Sequence, residues 1–234
     1  MVDPAIFEHL QTKINEDSAV REELRSKTQE LEKQGRTTQS ILSRAHSIPV
    51  AQIQATVSDA EKSIFAQVST IGEISGVASN QPYYKYNSMW TKHMQDTVFS
   101  IILCGWLGGF KHVREESQAL LTIENVGEIL KGKTPDRDAF HLTIEEYLHA
   151  MISLIEELAR LAVNSVTLGD YHRPLEISQF VKDLHAGFQI LNLKNDSLRR
   201  RSDSIKYNVK KVEDVVYDLS LRNLILTTKS ENQS

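Results

Sequence analysis

Hydrophobic residues recur at intervals of three and four positions along nearly the whole chain, and no segment alternates convincingly between apolar and polar residues. The pattern therefore predicts an all-α fold. It is interrupted where Gly, Pro, Ser and Asp cluster, most clearly at Ser75–Pro82, Lys131–Asp138 and Leu168–Pro174. Between these interruptions we predict about seven helices, packed as a helical bundle in a single domain over residues 1–224. A disordered tail is predicted at residues 225–234.

Capping residues mark the start of two helices. Asp3 caps the first helix, which is predicted to run into the thirties, where Gly35 either kinks it or ends it, while Ile41, Leu42 and Ala45 carry the apolar pattern on toward Ile48. Thr143 and Glu146 have the spacing of a capping box and begin a helix that ends near Val166. The apolar stripe of the first helix includes Ile6, Leu10, Ile14, Leu24 and Leu31. The other predicted helices are Pro49 to Ile74, Pro82 to Gly105 or to Gly108 and Gly109, Arg114 to Leu130, Pro174 to Ile190, and a last helix to about Leu224.

A sevenfold repeat of aliphatic residues runs through the C-terminal third of the chain. If its members occupy heptad position d, Asn195 and Ser202 place two polar residues in succession at position a, which weakens a zipper between chains. Two interpretations remain open: the stripe packs inside its own domain, which we favour, or part of it forms an interface between chains. The candidate oligomerisation residues are Leu184, Leu191, Leu198, Ile205, Val212 and Leu219.

The charge balance changes this picture locally. The chain as a whole has a net charge of -4, which excludes a uniformly basic nucleic-acid binder, and its 40% hydrophobic content excludes a disordered chain. Residues 192–211 nevertheless carry seven basic and two acidic side chains. Such a concentration favours phosphate binding; the alternative is a solvated face paired with acids of neighbouring helices. The candidate residues here are Arg199, Arg200, Arg201, Lys206 and Lys210.

The single cysteine bears on the cellular compartment. Cys104 lies in an apolar run, which favours a buried, inert thiol, and one cysteine cannot form an intramolecular disulfide. A reducing compartment follows, and we expect a cytoplasmic protein with the nucleus as a second candidate location. The longest apolar run, Val98 to Phe110, is too short to span a membrane.

Three segments resemble the translin family: Leu154 to Arg222, the stretch "AIFEHLQTKINEDSAVREELR" and, more loosely, "QPYYKYNSMW". The resemblance covers about Ala5 to Arg222. It implies a protein of about seven helices that assembles into a hollow homo-octamer and binds single-stranded RNA and DNA. It also implies a paralogous partner, translin-associated factor X, with which the family forms an endoribonuclease that acts in RNA processing and RNA interference.

The chain departs from this family in its basic stretches. Of the two that the family links to nucleic-acid binding, the first corresponds to Val50 to Phe65, where Lys62 is the one basic residue. In the second, Lys85 and Trp90 remain, and Lys92 follows. The resemblance adds Arg21, Arg25, Lys85, Lys92 and Trp90 to the candidate nucleic-acid-binding residues, although the helical spacing of Trp90 favours a core position. We expect weaker binding than in strongly basic relatives, and a single strand as ligand because no recognition-helix motif is present.

The resemblance also implies where catalysis would reside in the partner. Of the four carboxylates that it implies for the partner's Mg²⁺ site, two correspond to Val98 to Leu107, which contains no acid, and two correspond to His172 and Glu176. One of four is retained, so we predict no catalytic residues, no metal site and no cofactor. The favoured function is a non-catalytic scaffold; the alternatives are a Mg²⁺-dependent endoribonuclease in its own right and an assembly subunit that has lost nucleic-acid binding.

Overall fold

The computed structural model describes residues 3–79, 81–114, 118–130, 141–194 and 196–225. Within these residues the secondary structure is helical and contains no β-strand, which confirms the predicted all-α class. None of the described helices is long and apolar enough to cross a membrane. The helices are α1 (Pro4–Ser43), α2 (Ile53–Ala78), α3 (Tyr83–Tyr86), α4 (Thr91–Trp106), α5 (Ile123–Leu130), α6 (Ile144–Thr167), α7 (Arg173–Ile190), α8 (Asp196–Ser202) and α9 (Ile205–Leu221).

The first helix is 40 residues long and continues through Gly35, so of the two alternatives the end at Gly35 is wrong. The Asp3 carboxylate accepts a hydrogen bond from the Ala5 amide at 3.0 Å, as the predicted cap requires. The C-terminal half of α1 packs along α2 and buries Leu24 and Leu31. Packing against a neighbouring helix therefore outweighs the weak helix propensity of one glycine.

A buried polar network joins α1, α2 and α4. Gln67 Nε2 donates a hydrogen bond to Thr38 Oγ1, and Gln67 Oε1 accepts one from Thr97 Oγ1 at 2.9 Å. Gln67 is fully buried, so these bonds replace the water that it loses on folding. The network fixes the register of the three helices relative to one another.

Helices α4 and α6 pack against each other in the middle of the fold, and both are buried along most of their length. The predicted capping box opens α6: Glu146 donates its amide to Thr143 Oγ1 at 3.1 Å, and the Glu146 carboxylate accepts from the Thr143 amide at 3.0 Å. Cys104 of α4 is fully buried, and burial raises the pKa of its thiol to about 12. This is the inert thiol that the apolar run predicted.

The predicted helix from Arg114 to Leu130 is shorter in the structure, where α5 begins only at Ile123. Thr122 and Asn125 cap each other: the Asn125 amide donates to Thr122 Oγ1 at 3.2 Å, and the Thr122 amide donates to Asn125 Oδ1 at 3.0 Å. Residues 115–117 and the predicted loop Lys131–Asp138 lie outside the described residues.

The prediction of one continuous last helix is wrong. The predicted helix from Pro174 to Ile190 is observed as α7, but the segment after it is divided: Leu191 has extended dihedral angles, and α8 is separated from α9 at Asp203 and Ser204. The hydroxyl of Ser202 bonds to the Arg199 carbonyl oxygen, and that of Ser204 bonds to the Arg201 carbonyl oxygen. The Ser204 amide bonds to the Arg201 carbonyl oxygen three residues back at 3.1 Å, so the backbone tightens at the break, and the two hydroxyls add local bonds there.

The heptad stripe is consequently divided among three helices and a connecting segment. Leu198, Ile205, Val212 and Leu219 are at most 3% exposed within the single chain. Leu184 is half-buried against the core, whereas Leu191 remains 42% exposed. The four buried residues are therefore not available to an interface between chains, which corrects their assignment as oligomerisation residues. They pack within the chain, which is the other interpretation of the stripe. Asn195 and residues 226–234 lie outside the described residues, so the disordered tail stays a prediction.

Candidate nucleic-acid interface

Two predicted basic residues, Arg21 of α1 and Lys85 of α3, meet at one carboxylate. Asp17 accepts from Lys85 Nζ at 2.7 Å, from the buried Tyr86 hydroxyl at 2.6 Å and from Arg21 Nε at 2.7 Å. These hydrogen bonds hold the pKa of Asp17 far below its usual range and raise the pKa values of Arg21 and Lys85. Both cations also lie over the Tyr86 ring, 5.2 and 4.8 Å from its centroid.

This first cluster therefore has two cations and one anion, and its net charge is smaller than the sequence suggested. Arg25, one turn further along α1, is exposed and only loosely paired with Glu22 at 3.5 Å. It adds a solvent-facing positive charge beside the Asp17 site.

A second cluster forms where α4, α6 and α8 meet. Arg201 Nη2 donates to Ser153 Oγ at 2.6 Å, and its other terminal nitrogen lies 3.4 Å from His149 Nδ1. Burial lowers the pKa of His149, and the positive charges of Arg201 and Lys92 lower it further. Lys92 and Arg201 thus act on the same imidazole, although they come from distant parts of the sequence.

The other basic residues of the C-terminal segment divide between an exposed face and a cleft. Arg199 and Lys206 line an open cleft of about 460 Å³ between the end of α7 and the α8–α9 junction. Lys210 lies outside it and pairs with Asp214 at 3.1 Å. Arg200 is exposed on α8. The predicted basic residues therefore occupy three environments: the contact with α6, the cleft and the exposed surface. They do not form one uniform basic face.

The structure corrects the candidate role of Trp90 in base stacking. Its side chain is 2% exposed and packs edge-on against Tyr83, with 5.8 Å between ring centroids, so no face is open to a base. The core alternative is the one observed.

Two aromatic residues that the sequence interpretation missed are exposed. Tyr84 is 81% exposed next to Lys85, and Tyr207 is 67% exposed with Lys206 Nζ 5.0 Å from its ring centroid. The signal for Tyr84 was present: it lies two positions before Tyr86, which turns it to the opposite side of a helix from that buried residue.

The segment that resembles the partner's catalytic region lines a cleft of about 830 Å³. His172 Nδ1 lies 3.2 Å from Glu176 Oε1, and Asp170 Oδ1 accepts from the Arg173 amide at 3.1 Å. The buried Arg173 guanidinium lies 5.8 Å from the Trp106 ring centroid. Among the described residues, no three His, Cys, Asp or Glu side chains are grouped so that they could hold a metal ion.

Gly169 follows the end of α6, inside the predicted interruption Leu168–Pro174, and has a positive φ of 77°, the conformation that glycine adopts at a helix C-terminus. The geometry as a whole defines an all-α chain that carries separate basic clusters on α1 and α3, on α4 and α8, and at the α7–α9 cleft. Residues 19–223 match the Translin family model. Translin from Gallus gallus is 42% identical over 224 residues, which are 94% of this chain and 93% of that protein. The chain belongs to the translin family.

More distant similarities extend to a paralogue and to a solved assembly. Translin-associated protein X from Mus musculus is 23% identical over 201 residues, which are 78% of this chain and 66% of that protein. The solved structure of AfC3PO in a complex with duplex RNA has a TM-score of 0.65 at 15% identity and covers 93% of this chain and 98% of that one. At that identity the structural similarity supports the fold alone.

Proposed function

We propose that this chain is a non-catalytic subunit of an RNA-processing complex that binds single-stranded RNA and DNA. The observation that carries the proposal is the basic surface of α8 and α9, where Arg199, Arg200, Lys206 and Lys210 are exposed on a chain whose net charge is -4. Cations concentrated on one surface attract a phosphate backbone even when the rest of the molecule repels it. Family membership supports the same function.

A single strand is the proposed ligand because exposed aromatic side chains accompany the cations. Tyr84 and Tyr207 each have a solvent-exposed ring beside a lysine, and unpaired bases stack on such rings. The solved structure of AfC3PO, which shares this fold, is of a complex with duplex RNA. Duplex RNA is therefore the competing ligand that an experiment must include.

We also propose that the chain assembles with copies of itself, as a hollow homo-octamer, and with a translin-associated factor X paralogue. Support for self-association comes from the N-terminal half of α1, where a stripe of apolar side chains is about half exposed or more. Such a stripe on an isolated chain would be costly in water and fits a second copy. The residues are Ile6, Phe7, Leu10 and Ile14.

The binding proposal is tested with the purified full-length chain and labelled single-stranded RNA, single-stranded DNA and duplex RNA of equal length. We expect both single strands to bind more tightly than the duplex, with affinity falling as salt is added. Mass in solution is measured alongside. No binding at low ionic strength would instead support an assembly subunit that has lost nucleic-acid binding, an alternative favoured by the carboxylates that pair with Arg21, Lys85, Lys92 and Lys210.

An endoribonuclease in its own right is the second candidate function. It is favoured by the cleft that contains Asp170, His172 and Glu176. It would appear as RNA cleavage by highly purified protein with Mg²⁺, stopped by a chelator and by Glu176→Ala. Asp183→Ala, which removes an exposed acid from the same helix, is the matched control. We expect no cleavage.

We also propose a cytoplasmic location, with the nucleus as the second candidate. The proposal rests on the resemblance to the translin family and on the single buried thiol of Cys104.

A further inference from the structure

The cleft between the end of α7 and the α8–α9 junction has the size of a binding site for one small molecule. Its volume is about 460 Å³, within the range of ligand pockets in proteins. Two cations, one acid, an imidazole and two amides line it. These side chains are Arg199, Lys206, Asp203, His185, Gln189 and Asn192.

The cations of this cleft differ from most other candidate basic residues in having no carboxylate partner. Arg21 and Lys85 share Asp17, and Lys92 pairs with Asp96. Within the part of the chain that the structure describes, neither Arg199 nor Lys206 forms an ion pair. Two cations against the single Asp203 carboxylate leave the cleft with a net positive charge, and a concavity with such a charge attracts an anion more strongly than paired charges on a convex face.

The rest of the cleft suits a nucleobase rather than a phosphate alone. The His185 ring is half-buried at the wall, and Gln189 Nε2 lies 3.5 Å from His185 Nε2. Each of the two amides, of Gln189 and Asn192, offers both a donor and an acceptor, as the edge of a base does. The Asp203 carboxylate would repel a second phosphate and can accept a hydrogen bond from an amine or a ribose hydroxyl.

We propose that this cleft is a subsite for one nucleotide of the bound strand. Arg199 and Lys206 hold its phosphate, and the base lies against His185 within reach of Gln189 and Asn192. The inference rests on the proposed nucleic-acid binding and deepens it: binding is concentrated in a pocket that recognises phosphate and base together, instead of being spread over a basic face.

The phosphate part is tested with the double variant Arg199→Gln, Lys206→Gln. The matched control is the double variant Lys33→Gln, Lys111→Gln. It also removes two exposed positive charges, but neither lysine is among the candidate binding residues. We expect the cleft variant to bind a single-stranded RNA oligonucleotide about tenfold more weakly than the control variant. Its salt dependence should become less steep by about 0.7 for each phosphate contact that is lost. Circular dichroism and mass in solution establish that both variants fold and assemble.

The base part is tested with Asn192→Ala against Gln179→Ala, an exposed amide on α7 outside the cleft. We expect Asn192→Ala to change the ratio of affinities for oligoadenylate and oligouridylate by about fivefold, the effect of losing one good base contact, without changing the salt dependence. Gln179→Ala should leave the ratio unchanged.

The outcomes separate the two proposals. If the wild-type chain binds no single strand at low salt, the proposed function fails and this inference fails with it. If the wild type binds and the two double variants lose affinity equally, nucleic-acid binding stands and the cleft is not its subsite. An unchanged oligoadenylate to oligouridylate ratio in Asn192→Ala overturns the base contact alone.

Discussion

At the scale of single residues, the three consecutive arginines of α8 have different roles. Arg201 turns inward: it donates to Ser153 Oγ, and its guanidinium lies 3.6 Å from the Glu156 carboxylate. Arg199 lines the cleft without an ion partner among the described residues. Neighbouring side chains on a helix point about 100° apart, so one of a run of basic residues can hold the fold while another faces a ligand.

This division predicts opposite effects for two equivalent substitutions. Arg201→Met keeps most of the aliphatic stem but removes the bonds to α6, so we expect a loss of about 1–2 kcal/mol in the free energy of unfolding and little change in RNA affinity. Arg199→Met should change stability by less than about 0.5 kcal/mol and weaken RNA binding. Urea denaturation and binding isotherms of both variants check this. Equal stability of the two variants would show that the contacts of Arg201 with α6 contribute nothing.

Sequence information could identify the basic residues but not their partners. Tyr86 and Asp17 are separated by 69 positions, and Arg201 and Ser153 by 48. No periodicity within a helix connects positions so far apart; only the packing of α3 on α1 and of α8 on α6 brings them together. Trp90 differs, because the resemblance made it a candidate for nucleic-acid binding while its helical spacing already favoured the core position in which it is found.

At the scale of elements, the sequence predicts helix type well and helix continuity poorly. The caps of α1 and α6 lie where local chemistry dictates, because Asp3 and Thr143 satisfy amides within the same few residues. At the break between α8 and α9, two serine hydroxyls bond to carbonyl oxygens of the preceding turn. Neither glycine nor proline marks that break, so an apolar stripe with seven-residue spacing suggested one uninterrupted helix.

Helix α1 also illustrates that one apolar stripe can serve two purposes. Leu24 and Leu31 are buried against α2, whereas Ile6, Leu10 and Ile14 continue the stripe into solvent. The helix is amphipathic along its length, but among the described residues a packing partner covers only its C-terminal half. The unpartnered half is where we expect contact between copies.

The exposed half of α1 predicts the result of a charge substitution. Leu10→Glu with Ile14→Glu should lower the mass of the assembly in light scattering, since burying two carboxylates in an apolar interface is costly. The released chain should keep the helical circular dichroism of the wild type, because Leu10 and Ile14 are about half exposed within the single chain, whereas its thermal midpoint should fall as the stabilisation by assembly is lost. Gln11→Glu with Asn15→Glu places the same charges on the polar side of the same turns and should leave the mass unchanged. A wild-type mass for the Leu10, Ile14 variant would exclude this stripe from the interface.

At the scale of the whole molecule, the cluster around His149 couples the packing of α4, α6 and α8 to pH. Burial and the charges of Arg201 and Lys92 lower the pKa of His149 in the folded chain, and Glu145, 3.8 Å away, opposes them only in part. The unfolded chain therefore binds the proton more readily than the folded chain does. Protonation of His149 therefore costs no stability above the pKa of histidine in the unfolded chain, about 6.5. The free energy of unfolding decreases as the pH falls below that value.

Replacing the imidazole should remove this part of the pH dependence. We expect the wild type to lose stability between about pH 7 and pH 5, and His149→Gln to lose measurably less over the same interval, because glutamine cannot take up the proton that the folded state disfavours. His185→Gln, in which the imidazole lies outside this cluster, serves as the comparison and should follow the wild-type profile. Denaturation midpoints across that interval decide the matter. Parallel profiles for wild type and His149→Gln would mean that protonated His149 is tolerated beside Arg201 and Lys92, and that the junction of the three helices does not sense pH.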